Sequence, residues 1–277
     1  MGLRIASNTS SLTGQRHLTM TKNALDRSLE RLSSGSRINH ASDDAAGMAI
    51  SEALKAQLRG VKQARRNALD GISMLQISEG ALNEISNIVI RLRELSVQSA
   101  SDTIGDVERG FADREFQSLK EEVDRIANGT TYNDSPLLNG RTGIIEFQVG
   151  TKNNPLIDRI IYDSAKADAT TGSLQIDGET INNKLSAQTS LGMLDSALIR
   201  VNSLRADMGA MQNRLQSAIN SLAISEENLA AANSRIRDTD MAEEVSEMTK
   251  SNILMQSGIA VLSQANNSMG GALKLLG

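Results

Sequence analysis

The chain has no cysteine and no tryptophan among its 277 residues. The absence of cysteine excludes disulfide staples, thiolate zinc sites and cysteine nucleophiles. It also suits a protein that leaves the cell unfolded and works outside it. His17 and His40 are the only histidines, and neither stands in an H-E-x-x-H pattern. Aromatics and prolines are scarce and confined. Phe111, Phe116, Tyr132, Phe147 and Tyr162, with Pro136 and Pro155, all fall between residues 111 and 162. Aromatic side chains supply much of the buried area of compact cores, so the two flanks read as long helices rather than ordinary globules.

Other absences narrow the class. No stretch approaches the ~18 apolar residues of a membrane span. The opening "MGLRIASNTSSLTGQ" lacks the apolar run of a secretory signal. Ala6 stands where N-myristoylation wants Ser or Thr. These rules alone point to the cytosol. A net charge of -4 and a pI near 5.4 give no bulk basic character for nucleic acid.

Periodicity fills the flanks. Leu18, Leu25 and Leu32 recur at heptad spacing. Leu54, Leu58, Val61, Ala68, Ile72, Leu75 and Leu82 follow, interrupted at Arg65 and Glu79. Residues 43–99 contain no proline and can run as one helix, on the order of 80 Å long. A second stripe includes Leu194, Val201, Met208 and Leu215, and a third includes Met241, Val245, Met248, Met255, Ile259 and Leu262. Sustained seven-residue spacing is the signature of coiled-coil packing. Between the helical halves, "GIIEFQVG", "DRIIYDS" and "GSLQIDG" read as short strands bounded by turn residues. Residues 1–66 hold eleven Lys or Arg against five Asp or Glu, and residues 226–277 hold four against seven. The ends therefore attract in an antiparallel arrangement.

The most chemically suggestive stretch is "RLSSGSRINHASDDAAGMAI", residues 31–50. It lacks the glycine spacings of phosphate loops and the G-x-S-x-G elbow of hydrolases. It reads instead as helix punctuation. Gly35 ends one helix in a left-handed turn, and Ser42 or Asp43 caps the next, with Asp43 and Asp44 at its positive end. "KQARRNA" reads as a solvated face, and the Asn128-Gly-Thr130 sequon is a weak match. No catalytic, cofactor or metal residues are expected.

These residues resemble bacterial flagellin. The 31–50 stretch is similar to the family's "RLSSGxRINxAxDDAAGxAI" signature. "IRLRELSVQSA" (90–100), "EEVDRIA" (121–127), "YNDSPLLNG" (132–140), "RADMGAMQNRLQSAI" (205–219) and "ENLAAANSRIRDTDMAEE" (227–244) also match in order. Asn-Asp stands at 133–134 where the family often has Asn-Gly. The resemblance implies a mainly α fold: an elongated antiparallel helical bundle, or coiled-coil rod, with a small β-hairpin region in the middle.

It further implies residues 1–45 and 229–277 as inner coiled-coil segments, and 46–228 as a rod domain with hairpins at about 141–180. Inner-core packing falls to Leu18, Leu25, Leu32, Met248, Met255, Ile259 and Leu262. Gly35, Asp43 and Asp44 form the spoke joint. By resemblance the chain is a non-enzymatic subunit of the flagellar filament used for swimming, with a hook–filament junction protein as the alternative.

The partners implied are further copies of the chain, an export chaperone at about 241–276, and filament cap and hook-junction proteins. The flagellin-sensing Toll-like receptor is a further implied partner, through Arg91, Leu95 and Glu115. Export through the flagellar type III channel would reconcile an extracellular protein with an N-terminus lacking a signal peptide. No cofactor, nucleic acid or membrane partner is implied.

Overall fold

A computed structural model describes the backbone of residues 8–274 and the side chains of residues 8–267. The tail beyond 274 and the first seven residues, which the sequence assigned to the inner segments, lie outside the described residues. Five helices dominate: α1 (Thr9–Ser34), α2 (Ala45–Ser99), α3 (Asp106–Gly129), α4 (Lys184–Arg237) and α5 (Met241–Lys274). Between α3 and α4 lie β1 (Thr131–Tyr132), β2 (Ser135–Pro136), β3 (Ile144–Gln148) and β4 (Arg159–Asp163), then a single 3-10 turn at Ser164–Lys166. This mainly α chain with one small hairpin region is the fold class expected.

The helix boundaries follow from local chemistry. Asn8 begins α1 by accepting the Ser11 amide at 3.0 Å. Gly35 ends it at φ 68°, ψ 8°, with its N–H on the Arg31 carbonyl at 2.8 Å. The start of α2 corrects the expected cap. Asp44, rather than Ser42 or Asp43, accepts the Gly47 amide, at 2.8 Å. Asp43 turns back and accepts the Asn39 and His40 amides at 3.2 and 3.0 Å. Adjacent carboxylates offer the same chemistry, and only the path of the turn decides which meets the helix.

The chain divides into two compact units, Met1–Ala56 with Asn228–Gly277, and Gln57–Glu227. The divisions fall within α2 and α4. Helix punctuation marks element ends, whereas compactness follows side-chain packing, so the first division lies beyond residue 45.

In the first unit α1 and α5 run antiparallel. A Cβ placed on Gly14 would lie 3.6 Å from Leu262, and one on Gly258 would lie 3.2 Å from Leu18. Further along, Arg31 and Glu244 pair at 3.6 Å.

The second unit has the dense core. Leu75, Leu82, Ile85, Val89, Leu92 and Leu95 of α2 are buried. They pack with Phe116 and Val123 of α3 and with Leu194, Val201, Met208 and Leu215 of α4. The α4 set is spaced by sevens, the knobs-into-holes period. The polar interruptions in the α2 stripe have partners on α4. Arg65 and Lys62 reach Glu226 at 3.5 and 3.7 Å, and Glu79 accepts from Gln212 at 2.9 Å.

β3 and β4 pair antiparallel, Ile145 opposite Tyr162 and Phe147 opposite Ile160. Residues 172–178, expected as a third strand, form turns instead. Their buried Leu174 and Ile176 enter the core, but the segment folds on itself, the Leu174, Gln175 and Ile176 amides donating to the Thr170, Gly172 and Thr171 carbonyls, and side chains of α3 hold the Asp177 carbonyl and the residues that flank the segment. Asp124 accepts the Thr171 amide and hydroxyl at 2.8 and 2.6 Å. The Lys120 ammonium donates to the carbonyls of Asp177 and Glu179. Gln117 donates to the Glu179 carbonyl, and Asp113 accepts the Ile181 amide at 2.8 Å. A backbone satisfied by its own turns and by a neighbouring helix needs no strand partner.

Candidate assembly and contact surfaces

The first candidate surface is built by α1 and α5. Leu25 is buried, while Leu18, Leu32, Met248, Met255 and Leu262 are half-buried along the helix pair. Ile259 departs from its expected place in the packed stripe: it is 55% exposed. The physical reason is the distribution of apolar residues around α5. Met248, Ile253, Leu254, Met255, Ile259 and Val261 occupy several faces, and one neighbouring helix cannot cover them all. Val261 is 62% exposed and Leu12 on α1 is 63% exposed, and Met20, Leu29, Ile253 and Leu254 are exposed as well. A helix apolar on most faces belongs inside something larger.

The joint between α1 and α2 lies in the same unit. The Arg37 amide donates to the Arg237 carbonyl at 2.6 Å, and the Thr239 amide donates to the Gly35 carbonyl at 3.1 Å. Ile38 is buried beneath this crossing. Backbone hydrogen bonds from His40 and Asn39 hold the Asp43 carboxyl below its ordinary range. Nearby, hydrogen bonds from Arg237 and Lys55 do the same to Glu52. His40 Nε2 sits 2.8 Å from Glu30. Gly35 lies at the crossing with residues 237–239, while Asp43 and Asp44 accept amides of the turn and of the first turn of α2.

The second candidate surface lies on α2 and α3. Arg91 donates to Glu115 through two nitrogens, at 3.0 and 2.9 Å, and to Glu94 at 3.0 Å. These bonds, with Glu94 foremost, raise the Arg91 pKa. Arg91 and Glu115 are both exposed. Leu95 is not part of that surface. It is 2% exposed and lies in the core with Leu92 and Phe116, which corrects its place among the contact candidates. Its spacing of three from Leu92, itself three from Val89, held the signal for its burial.

The α3 row Asp113, Gln117, Lys120 and Asp124 was missed from the sequence, as was Arg109. The latter is buried and donates to the Ser99 and Ser101 carbonyls at 2.9 Å, closing the end of α2. The spacing of four, three and four along α3 marks one helix face, but nothing in it names the distant loop it serves. Tyr162, also buried, donates to the Leu137 carbonyl at 3.0 Å, and burial pushes its pKa up to about 12. Among the described residues no cluster of His, Asp or Glu is placed to hold a metal ion, and no helix is long and apolar enough to cross a membrane.

Comparison with known proteins locates this architecture. The bacterial flagellin N-terminal helical region matches residues 5–142, and the bacterial flagellin C-terminal helical region matches residues 191–276. The chain is 42% identical over 272 residues to a flagellin of Halalkalibacterium halodurans, covering 98% of this chain and 99% of that one. It is 39% identical over 285 residues to a flagellar filament 33 kDa core protein of Treponema phagedenis, with 98% and 99% covered. The crystal structure of Bacillus cereus flagellin aligns with TM-score 0.51 at 31% identity, covering 61% of this chain and 94% of that chain. A putative flagellar hook-associated protein from Vibrio parahaemolyticus aligns with TM-score 0.59 over 71% of this chain and 100% of its own. At 13% identity that likeness is one of fold.

Proposed function

Since the chain belongs to the bacterial flagellin family and is a structural subunit of the flagellar filament, we propose that α1 and α5 are its polymerisation surface. The carrying observation is the apolar area that this helix pair leaves uncovered. Burying one Leu or Ile contributes about 1.5–3 kcal/mol, and copies of the chain are the partners a filament provides. Heterologous contacts that do not close produce a helical polymer. The junction-protein alternative is not favoured, because its support is a likeness of fold whereas the filament proteins match in sequence.

Deleting residues 241–277 tests the assignment. The truncated chain is expected to keep the second unit folded by circular dichroism and to form no filaments on seeds by electron microscopy. Normal filaments from that truncation would remove α5 from the interface.

In the same reading, an export chaperone covers the apolar faces of α5 before assembly, and export runs through the flagellar type III channel to an extracellular filament. Filament cap and hook-junction proteins meet the same terminal helices. Gly35, Asp43 and Asp44 set the joint between inner and outer segments. The receptor contact reduces to the exposed pair Arg91 and Glu115. Arg91→Ala is expected to lower signalling in a Toll-like receptor reporter assay while leaving the thermal transition in place; unchanged signalling removes the site.

A further inference from the structure

The chain contains two Asn-Gly pairs, Asn128-Gly129 and Asn139-Gly140. Such a pair is the least hindered setting for a backbone nitrogen to attack the side-chain amide before it, because glycine has no Cβ and moves freely in φ. The two pairs sit in opposite environments. Gly129 is the last residue of α3, so its N–H belongs to the helical ladder. Asn128 Nδ2 is tied back to the Asp124 carbonyl at 2.8 Å.

Asn139 lies in the irregular segment after β2, and Gly140 has φ 70°. Among the described residues nothing accepts the Gly140 N–H. The Arg141 amide donates to Asn139 Oδ1 at 3.1 Å. That oxygen takes up negative charge when a nitrogen adds to Cγ, and a donor already aimed at it lowers the barrier. The departing Nδ2 is held only by a 3.4 Å contact to Asn128 Oδ1.

We propose that Asn139 is a self-modification site, where the fold directs spontaneous deamidation while protecting Asn128. A bond forms between Gly140 N and Asn139 Cγ, and the Cγ–Nδ2 bond breaks. The Gly140 amide proton leaves with Nδ2 as ammonia, and residues 139–140 close into a succinimide. Water then opens the ring at either carbonyl, giving aspartate or isoaspartate, with no change of oxidation state. The product carries a new carboxylate in place of the Asn139 amide.

The test incubates the full-length chain in mildly alkaline buffer and follows both asparagines by fragment-ion mass spectrometry, which resolves sites within one peptide. In the native chain Asn139 is expected to convert about tenfold faster than Asn128 or more, the rate equivalent of one net hydrogen bond. In urea the two rates are expected to converge. Equal or reversed rates in the native chain overturn the proposal, and so does a preference that persists unchanged in urea, since the cause would then be local sequence. Asn139→Gln is expected to abolish the fast phase; its survival in that variant moves the reaction elsewhere.

Discussion

Asn133 and Asp134 connect β1 to β2 with φ of 48° and 61°, a two-residue turn with both central residues left-handed. Asparagine tolerates that region, and aspartate does so less well than glycine. Asp134→Gly is therefore expected to stabilise the second unit by roughly 0.5–1 kcal/mol. Urea denaturation checks it, and a lowered midpoint would show that the Asp134 side chain contributes more than its backbone costs. Asp44 and Asp43 carry a related lesson at the same scale. That a side-chain oxygen just before residue 45 would open α2 was legible in the sequence; that Asp44 supplies it, rather than Ser42 or Asp43, was not. The choice rests on a turn that also involves Asn39 and His40.

For whole elements, a helix can replace a strand as the hydrogen-bonding partner of an irregular segment. α3 does this for residues 171–181 through Asp113, Gln117, Lys120 and Asp124. Asp124→Ala leaves the buried Thr171 without its acceptor and is expected to cost about 1–3 kcal/mol. Urea denaturation of the variant measures this, and a cost near zero would mean that water replaces the carboxylate. Long elements were legible because a seven-residue period repeats several times within α2 and α4. The segment 172–178 was not, because its apolar alternation satisfies a strand pattern while its α3 partner, Lys120 on the Asp177 carbonyl, lies 57 residues earlier. Leu95 shows the converse. A resemblance placed it at a surface, whereas its spacing from Leu92 and Val89 follows the buried stripe.

In the molecule as a whole, burial is distributed very unequally. Among the described residues the first unit buries Leu25 and Ile38 as its hydrophobic core, while the second buries a continuous cluster from Ala68 to Leu215. Local stability follows buried apolar contact. Limited proteolysis of the monomer is expected to cut within α1 and α5 before the second unit is touched, and seeded assembly is expected to protect both helices. Mass mapping of the fragments decides; early cuts in α3 or in the central part of α4 would contradict the ranking.

The confinement of every aromatic residue to positions 111–162 places all of them in the second unit. Near-ultraviolet absorbance and tyrosine emission therefore report on that unit alone. The helices proposed to polymerise are optically silent. An assembly assay read through intrinsic chromophores would follow the second unit alone, so a tryptophan introduced on the exposed face of α1 or α5 is the natural way to make the proposed joining surface visible.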